Sequence, residues 1–571
     1  MSKARNHQLS TAGIVFAGLL SGVCHAAPPN DNWVDRTVIG ALPFAQTTPN
    51  ILQATSETTD PVAPCIILTY PTAGKNSVWY EFTTGETEQF VDLDAGDYDA
   101  LIEVLAGSPK VGFTIVRGGC NDDQGYWSRK AKLVGLRLAA NTRYSIMVSA
   151  FTYDGIPPLT LKFSMKPSTV YRVTKTDDTA DGTCDADCSL REAVAQAELV
   201  PGAIVVPAGT YVVPGGLTPT TEGAIYGAGM RTTVIKGESS GHVLWHSAED
   251  RLTYALHDLT LTRGNVPAGA NPSLSSGGAF RGADGYYVLD RVALLDSRSA
   301  TGNGGGAYFG FDTSLSIYDS VVAGNTADLA GGGIYFRGSY IEAYRSTIAG
   351  NNASTGAGAD GGGLYIAGDF GVRLVNTTIS GNSAADEGGG VYIGEGEPSR
   401  RIVINNSTIA NNTIGAALLS SNNGGLKFTV SEITNFPPVI TNTVLSGNHL
   451  QGDPTQIADC SVPAGFALQT GYNLVQGRNG CAFTAPGDLT GVDPLLLPLS
   501  TFGTIPVHVP ADRSPLVDTG DPGSTCERAD ARGAARPADG DADGTPRCDI
   551  GAVEKTGPGE GGDLIFANSF E

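Results

Sequence analysis

Four tyrosines recur at one position of a repeated phrase in the middle of the chain. A glycine run precedes an apolar–Tyr–apolar triplet each time, in GGGAYF, GGGIYF, GGGLYI and GGGVYI. The tyrosines of these triplets are Tyr308, Tyr335, Tyr365 and Tyr392. Outward-pointing rings would form an aromatic ladder, with Lys427 in the next repeat, and stacked aromatic rings are a platform for sugar rings. The four residues are therefore candidate ligand-binding residues, with mutual stacking across strands as the alternative.

An acidic segment near the C-terminus, D-G-D-A-D-G, has the spacing of half a calcium-binding loop. Asp539, Asp541 and Asp543 would supply carboxylate oxygens, and Gly544 would permit the tight turn. The glutamate expected at the twelfth position is absent, since Ile550 stands there. The three aspartates are a candidate calcium site, with a plain acidic turn as the alternative. Calcium is the cofactor that the sequence suggests.

The elements that must position the tyrosines are the coils of a stack. A second repeated phrase follows each tyrosine triplet, and a fifth copy comes one repeat later. Its copies are DSVVAGN, RSTIAGN, NTTISGN, NSTIANN and NTVLSGN. The final asparagines recur after 26, 31, 30 and 36 residues, a period typical of stacked-coil proteins. Because strands alternate, Leu364 and Ile366 are predicted to point inward with Tyr365 opposite. The asparagines suit the corners of the coils, since Asn tolerates a left-handed backbone and can bond to copies above and below.

A short helix is predicted just before this stack. Ser189 and Glu192 form a capping box for a helix that runs through Ala197. The phrase CSLREAV resembles the CSLREA motif that precedes right-handed parallel β-helices in exported bacterial proteins. The phrases IVVPAGTYVV and IYGAGMRTTVIKG resemble the first coils of such proteins. The resemblance implies a single-stranded, pectin-lyase-like right-handed parallel β-helix over residues 200–475, entered through a connector and capping helix at 167–199.

The regions on either side of the stack have different patterns. Residues 30–166 contain alternating apolar and polar runs between turn residues, which predict an all-β sandwich. The phrases NDNWVDRTVIG, SVWYEF and NTRYSIMV resemble exported bacterial modules of the pre-peptidase C-terminal type. Residues 476–554 lose the repeat, and CERADARGAARPADGDADGTPRCDIGAVE resembles the closing segment of exported β-helix proteins with a choice-of-anchor domain. Residues 555–571 are predicted to be a flexible tail.

The N-terminus resembles a secretory signal peptide. Lys3 and Arg5 precede an apolar run at 14–23 that is too short to span a bilayer, and Ala26 ends a small-residue site. Residues 1–26 are therefore predicted to be the signal peptide of a protein secreted by, or held on the surface of, a Gram-negative bacterium. No later apolar run reaches transmembrane length. The net charge of −22 repels phosphate backbones, so nucleic acid is not an expected partner.

The cysteines outside the signal peptide are even in number and fall into local neighbours. An even count in an exported chain predicts disulfides. The predicted pairs are Cys65 with Cys120, Cys184 with Cys188, Cys460 with Cys481, and Cys526 with Cys548.

Three functional hypotheses fit this organisation. The leading one is an adhesion or glycan-binding protein, with a polysaccharide or cell-surface glycan as partner. The second is a polysaccharide lyase or glycoside hydrolase, in which Arg345 or Arg373 would act beside acids such as Asp360 and Glu387. The third is a rigid surface spacer that presents the sandwich. The sequence favours binding over catalysis and names no catalytic residue, since no phosphate loop, nucleophile elbow or dinucleotide fingerprint is present.

Overall fold

The computed structural model describes most of the chain between residues 26 and 560. The gaps are 59, 62–74, 111, 122–129, 151–159, 239–240, 247–251, 270–273, 369, 395, 397–400, 416–423, 431–436, 478–479 and 503–504. Residues 1–25 of the predicted signal peptide, Cys65, and residues 561–571 of the predicted tail lie outside the described residues. The tail prediction is wrong at its start, because Lys555 is fully buried. Within them the fold is β throughout apart from one α-helix and two 3-10 turns at Trp33–Asp35 and Ile51–Gln53. The predicted fold class, a β-sandwich followed by a right-handed parallel β-helix with a short capping helix, is confirmed.

The sandwich has two layers that share one long strand. Its strands are Thr37–Ile39, Phe44–Pro49, Lys75–Thr83, Gln89–Ser108, Gly112–Asn121, Lys130–Leu138, Arg143–Ala150 and Thr160–Pro167. The first half of Gln89–Ser108 pairs with Lys130–Leu138 and its second half with Arg143–Ala150. The apolar runs at 90–93 and 101–105 are thus parts of one strand that bends near Gly96, where φ is +70°.

The capping helix is Leu190–Leu199 and begins as predicted. The Ser189 hydroxyl oxygen accepts from the Glu192 N–H at 3.1 Å, and the Glu192 carboxylate accepts from the Ser189 N–H at 2.7 Å. Its buried residues include Leu190 and Ala193, which pack into the core of the first coils. The helix therefore covers the open end of the stack, where strand edges would otherwise meet water.

Removing the cap is expected to loosen this end. Ser189→Ala deletes the side-chain acceptor of a helix N-terminal N–H, a change that costs about 1 kcal/mol, with about 2 kcal/mol as an upper value. Urea denaturation followed by circular dichroism measures the loss. Ser168→Ala, whose hydroxyl makes only a 3.4 Å contact with the adjacent Thr169 carbonyl, is the matched control. Equal midpoints for the two variants would contradict a stabilising role for the cap.

Four parallel ladders build the stack, and each complete coil adds one rung to each. The long ladder contains Thr169–Arg172, Gly202–Val205, Gly223–Tyr226, the first halves of Leu252–Thr262 and Gly285–Leu295, Ser314–Tyr318, Tyr340–Tyr344, Gly371–Val375, Ile402–Asn405, Val439–Thr441 and Gln469–Gly471. The middle ladder contains Gly209–Pro214, Thr233–Glu238, the second halves of Leu252–Thr262 and Gly285–Leu295, Val321–Ala323, Thr347–Ala349, Thr378–Ser380, Thr408–Ala410, Val444–Ser446, Leu474–Val475 and Leu489–Thr490.

The other two ladders have shorter rungs. The short ladder contains Asn265–Val266, Arg298–Ser299, Thr326–Ala327, Asn352–Ala353, Ser383–Ala384, Thr413–Ile414 and His449–Leu450, with Asp453–Ile457 antiparallel at its end. The tyrosine ladder contains Leu244–His246, Phe280–Gly282, Ala307–Phe309, Ile334–Phe336, Leu364–Ile366, Val391–Ile393, Leu426–Phe428 and Cys460–Ser461.

The interior alternates as predicted. Leu364 and Ile366 are fully buried in the main core, while Tyr365 belongs to a separate cluster outside it. The bend asparagine Asn376 has a left-handed backbone, with φ of +50°. Bonding between coils belongs to a different asparagine, the last of each phrase. The Nδ2 of Asn351, for example, donates to Oδ1 of Asn382 at 2.9 Å.

The two ends of the stack differ from the sequence-based outline. The connector contains a strand, Thr169–Arg172, that pairs with Gly202–Val205 as the first rung. At the other end, residues 505–555 turn back along the outside of the middle ladder; we call them the C-terminal strap. Thr347 Oγ1 donates to the Pro506 carbonyl at 2.6 Å, and the Ala552 N–H donates to Thr408 Oγ1 at 3.1 Å.

Disulfides tie local segments together. The bonds Cys184–Cys188, Cys460–Cys481 and Cys526–Cys548 are present as predicted. Cys120 is also disulfide-bonded, whereas its predicted partner, Cys65, lies outside the described residues. Across the described ranges, no helix is long and apolar enough to cross a membrane.

Candidate functional site

The four repeat tyrosines stack on one another. Ring centroids are 5.3 Å apart for Tyr308 and Tyr335, 4.7 Å for Tyr335 and Tyr365, and 4.9 Å for Tyr365 and Tyr392, and the planes are nearly parallel. Each side chain is only 4–8% exposed. The interior ring faces are thus covered by neighbouring rings, so a sugar would meet ring edges instead. Ligand binding by these tyrosines stays a prediction.

Cationic side chains stand at both ends of this tyrosine column. The Arg281 guanidinium lies 4.9 Å from the Trp245 ring and 5.4 Å from the Tyr308 ring. Lys427 follows Tyr392 in register, and its Nζ lies 3.2 Å from a Glu387 carboxylate oxygen. The column therefore continues through cation–π contacts at its start and meets an ion pair at its end.

The candidate calcium residues occupy an exposed loop of the strap. The structure brings Asp518 beside Asp539 and Asp541, with one carboxylate oxygen of each within 4.8 Å of the others. Asp543 is not part of this group, and its N–H donates to Asp539 Oδ1 at 3.1 Å. Calcium binding stays a prediction, and the geometry adds Asp518 to its candidate ligands.

The acids near the glycine runs have structural partners. Asp360 accepts from the Glu387 N–H at 2.9 Å, and Asp386 accepts from the Gly358 N–H at 2.7 Å. The two arginines considered for catalysis, Arg345 and Arg373, lie elsewhere, at a bend and on a strand of the long ladder. The fold therefore does not bring these acids together with these arginines.

A different set of side chains meets on the outer face of the long ladder. In Tyr340–Tyr344, Ile341 and Ala343 enter the core, so Tyr340, Glu342 and Tyr344 project outward. Neighbouring rungs add further polar side chains at the same face. We call the set the outer-face cluster; it contains Tyr286, Ser316, Tyr318, Tyr340, Glu342, Tyr344, Arg345 and Arg373.

Glu342 is the centre of this cluster. Its carboxylate is 2% exposed and accepts from Ser316 Oγ at 3.1 Å and from the Tyr318 hydroxyl. Arg373 Nη1 lies 3.7 Å away. Burial raises the pKa of the Tyr318 hydroxyl well above its usual value. The hydroxyl therefore remains a proton donor to Glu342 at neutral pH.

The arginines frame an aromatic ring. Arg345 binds Asp319 through two nitrogens, at 2.8 and 2.9 Å, a bidentate arrangement that fixes the guanidinium plane. Its guanidinium carbon lies 5.3 Å from the Tyr344 ring centroid, and that of Arg373 lies 6.0 Å from the same centroid. Tyr344 and both arginines are partly exposed, with side-chain exposures of 24% for Arg345 and 33% for Arg373.

Two distant parts of the chain flank the cluster. Arg117 of the sandwich forms ion pairs with Asp290 and Asp319, and its guanidinium lies 5.1 Å from the Tyr318 ring. From the strap, Glu527 lies 3.6 Å from Arg373 Nη2. The face is thus assembled from three regions: the sandwich, the stack and the strap.

Sequence reasoning missed most of this cluster, although one signal was present. Tyr318 and Tyr344 each stand immediately before a left-handed bend residue, Asp319 with φ of +45° and Arg345 with φ of +48°. Counting alternation back from the bend places these tyrosines and Glu342 outward. The partners Arg117 and Glu527 carry no such signal.

Comparisons with known proteins support the fold. A family model described as "Right handed beta helix region" matches residues 281–453. No curated protein has a significantly similar sequence. The chain therefore contains a region of the right-handed β-helix class.

Solved structures resemble the chain only distantly. The catalytic domain of a GH87 alpha-1,3-glucanase in complex with tetrasaccharides is 13% identical, with 74% of this chain and 89% of that chain covered and a TM-score of 0.28. The mannuronan C-5 epimerase AlgE4 A-module of Azotobacter vinelandii is 20% identical, with coverages of 52% and 73% and a TM-score of 0.29. ORF18 of Geobacillus virus E2 is 12% identical, with coverages of 56% and 59% and a TM-score of 0.32. Because these TM-scores are low, the similarities give no information about function.

Proposed function

We propose that the protein is an exported glycan-binding protein and that glycan binds at the outer-face cluster. The observation that carries this proposal is the partly exposed Tyr344 ring framed by Arg345 and Arg373. A sugar ring can pack against an aromatic side chain, while guanidinium and carboxylate groups bond to its hydroxyls. Side chains held by strands and by ion pairs are already ordered, so binding costs little conformational entropy.

The stack suits a polymer. Successive rungs lie about 4.8 Å apart, so a regular chain laid along the axis meets an equivalent position on each coil. The signal-like N-terminus supports an extracellular or cell-surface location, where glycans are the abundant polymers. Adhesion to such a polymer is the role that follows.

Tyr344→Ala tests the location of the site. Loss of one stacked sugar is expected to weaken binding about tenfold, since an aromatic contact contributes about 1 kcal/mol beyond the area that it buries. Affinity electrophoresis against a panel of soluble polysaccharides measures the effect, with circular dichroism as a check of folding.

Tyr365→Phe is the matched control for this experiment. It removes a hydroxyl from the tyrosine ladder and keeps the stacked ring, so binding at the outer-face cluster should not change. The reverse result, loss with Tyr365→Phe and none with Tyr344→Ala, would move the site to the tyrosine ladder. Failure of the unaltered protein to bind any polysaccharide would refute the proposal.

A specific observation keeps catalysis as a second candidate. Glu342 and Glu527 both lie near the Arg373 guanidinium, 3.7 Å from Nη1 and 3.6 Å from Nη2. Paired carboxylates across a bound sugar are the apparatus of glycoside hydrolysis. Release of new reducing or unsaturated ends from a bound polysaccharide would support this candidate, and retention without products would support binding alone.

A further inference from the structure

The arginines at the outer-face cluster form ion pairs with carboxylates of the same chain. Arg345 is bonded to both oxygens of Asp319. Arg373 lies between Glu342 and Glu527, and Arg117 contacts Asp290 as well as Asp319. Every guanidinium that faces this surface therefore has at least one carboxylate of the chain within ion-pair distance.

Arginines next to the cluster are also paired with carboxylates. Arg137 from the sandwich and Arg291 from the long ladder share Asp258, with distances of 2.7 Å from Arg137 Nη2 and 2.5 Å from Arg291 Nε. Arg291 also reaches Asp290 at 2.9 Å. Among the described residues named here, the arginines around the cluster are matched by carboxylates, and the chain as a whole carries −22.

We infer that the outer-face cluster selects uncharged glycans over acidic ones, an inference that rests on the proposed function. A uronate or sulfate group entering this face would lie beside carboxylates already paired to its arginines, and like charges at such distances repel. Uncharged hydroxyls face no such penalty. They accept from guanidinium N–H groups that the ion pairs leave free, and they donate to the outer lone pairs of the carboxylates.

This selectivity can be tested with the full chain without its signal peptide. The neutral probes are a β-glucan, an α-glucan and a galactomannan, and the acidic probes are alginate and polygalacturonate. We expect neutral binding to change less than about twofold between low and high salt, because salt screens charge and leaves hydroxyl contacts intact. We expect acidic polymers to bind at least about tenfold more weakly than the best neutral one.

Charge variants give a gain of function that folding defects cannot imitate. The double variant Asp319→Asn with Glu527→Gln removes the charged partner of Arg345 and one of the two charged partners of Arg373. Affinity for acidic polymers should therefore rise about tenfold. Asp328→Asn with Asp453→Asn makes the same charge change elsewhere. Asp328 pairs with Arg298, and Asp453 begins the antiparallel strand at the end of the short ladder. This control should change affinity for acidic polymers by less than about twofold.

Two kinds of result overturn the inference in distinguishable ways. Tighter binding of an acidic polymer by the unaltered protein, or equal gains in both double variants, would refute the selectivity and leave glycan binding intact. Absence of binding to every polymer would refute the proposed function and the selectivity with it.

Discussion

Replacing Arg536 by methionine is expected to release the C-terminal strap while the coils of the stack stay folded. Arg536 is buried in the strap, and its Nη1 lies 3.2 Å from a Glu554 carboxylate oxygen. The same guanidinium donates to the carbonyls of Asp549 at 2.9 Å and Gly551 at 2.8 Å. Asp549 and Glu554 are both fully buried, and the substitution leaves the Glu554 carboxyl group without its ion-pair partner.

The expected cost is large because only one partner of the buried network is removed. Breaking a buried ion pair in this way costs about 3–5 kcal/mol, since an uncompensated charge stays in the interior. The strap has little regular secondary structure after Ile505–Val507, and this polar network holds its backbone turns together. The loss should therefore fall on residues 505–555 and spare the parallel ladders.

Hydrogen exchange measured by mass spectrometry separates the strap from the coils. Peptides from 505–555 should lose protection in Arg536→Met, whereas peptides from the coils should not. Arg513→Met is the matched control, because the Arg513 side chain is exposed. Unchanged protection of the strap, or equal loss throughout the stack, would contradict a local role for Arg536.

The pH dependence of the same region has a definite sign. Burial, together with the charge of Glu554, raises the pKa of Asp549 from 3.8 to about 8. A carboxyl whose pKa is raised on folding stabilises the fold most below its unfolded value, and this contribution is lost as the pH rises through the folded value. Protection of the strap should therefore decline from pH 4 towards pH 8. The defect of Arg536→Met should be smaller at pH 5 than at pH 8.

The features that were predicted correctly depend on residues that are close together in the sequence. Inward Leu364 and Ile366 follow from strand alternation, and the left-handed Asn376 follows from turn chemistry. The capping box at Ser189 and Glu192 is likewise a pattern within four residues. Each of these features is decided by local geometry, so a single sequence is enough to find it.

What the sequence could not predict depends on contacts between distant segments. Arg117 meets Asp290 across 173 positions, and Thr347 meets Pro506 across 159. The strap has no repeat that would place it on the middle ladder, and the candidate site depends on both contacts. The sequence therefore predicted the scaffold and missed the surface that three regions assemble on it.

The two asparagines of the phrase NTTISGN show where local reasoning ends. Asn376 and Asn382 belong to the same phrase, and both are fully buried. Asn376 bends the backbone, whereas Asn382 extends a column of amides formed by Asn325, Asn351, Asn382, Asn412 and Asn448. Side-chain type alone did not separate the two roles, because the column exists only once the coils are stacked.

The column ends at a residue with different chemistry. Asp459 accepts from Asn448 Nδ2 at 2.8 Å and from the Gly477 N–H at 2.6 Å. Burial raises its pKa to about 6, so it is mainly a carboxylate at neutral pH. Asn473 has the same kind of partner, since its Nδ2 donates to an Asp488 carboxylate oxygen at 2.9 Å. A carboxylate accepts without donating, so the last amides, Asn448 and Asn473, each have an acceptor for their Nδ2.

Asn382→Ala is expected to destabilise the coils strongly. The Asn382 amide accepts from Asn351 Nδ2 at 2.9 Å, and its own Nδ2 donates to the Ile348 carbonyl at 3.0 Å. It also donates to Asn412 Oδ1 at 2.9 Å. Alanine removes these bonds in the buried interior and leaves donors and acceptors on both neighbouring coils without partners. Each unsatisfied buried group costs about 1–3 kcal/mol, so a total on the order of 4 kcal/mol is expected.

The measurement must allow for partial unfolding, because each coil contacts mainly its neighbours. Urea denaturation should show a lower midpoint for Asn382→Ala, and hydrogen exchange should show the loss centred on the coils that carry Asn351 and Asn412. Asn352→Ala is the matched control; this half-buried residue accepts a single side-chain bond, from Ser383 Oγ at 2.8 Å, and should cost less than about 1.5 kcal/mol. Similar losses for the two variants would mean that the column is only a consequence of the packed coils. A large difference would mean that the amide column itself fixes how one coil sits on the next, and with it the alignment of the outer-face cluster across four rungs.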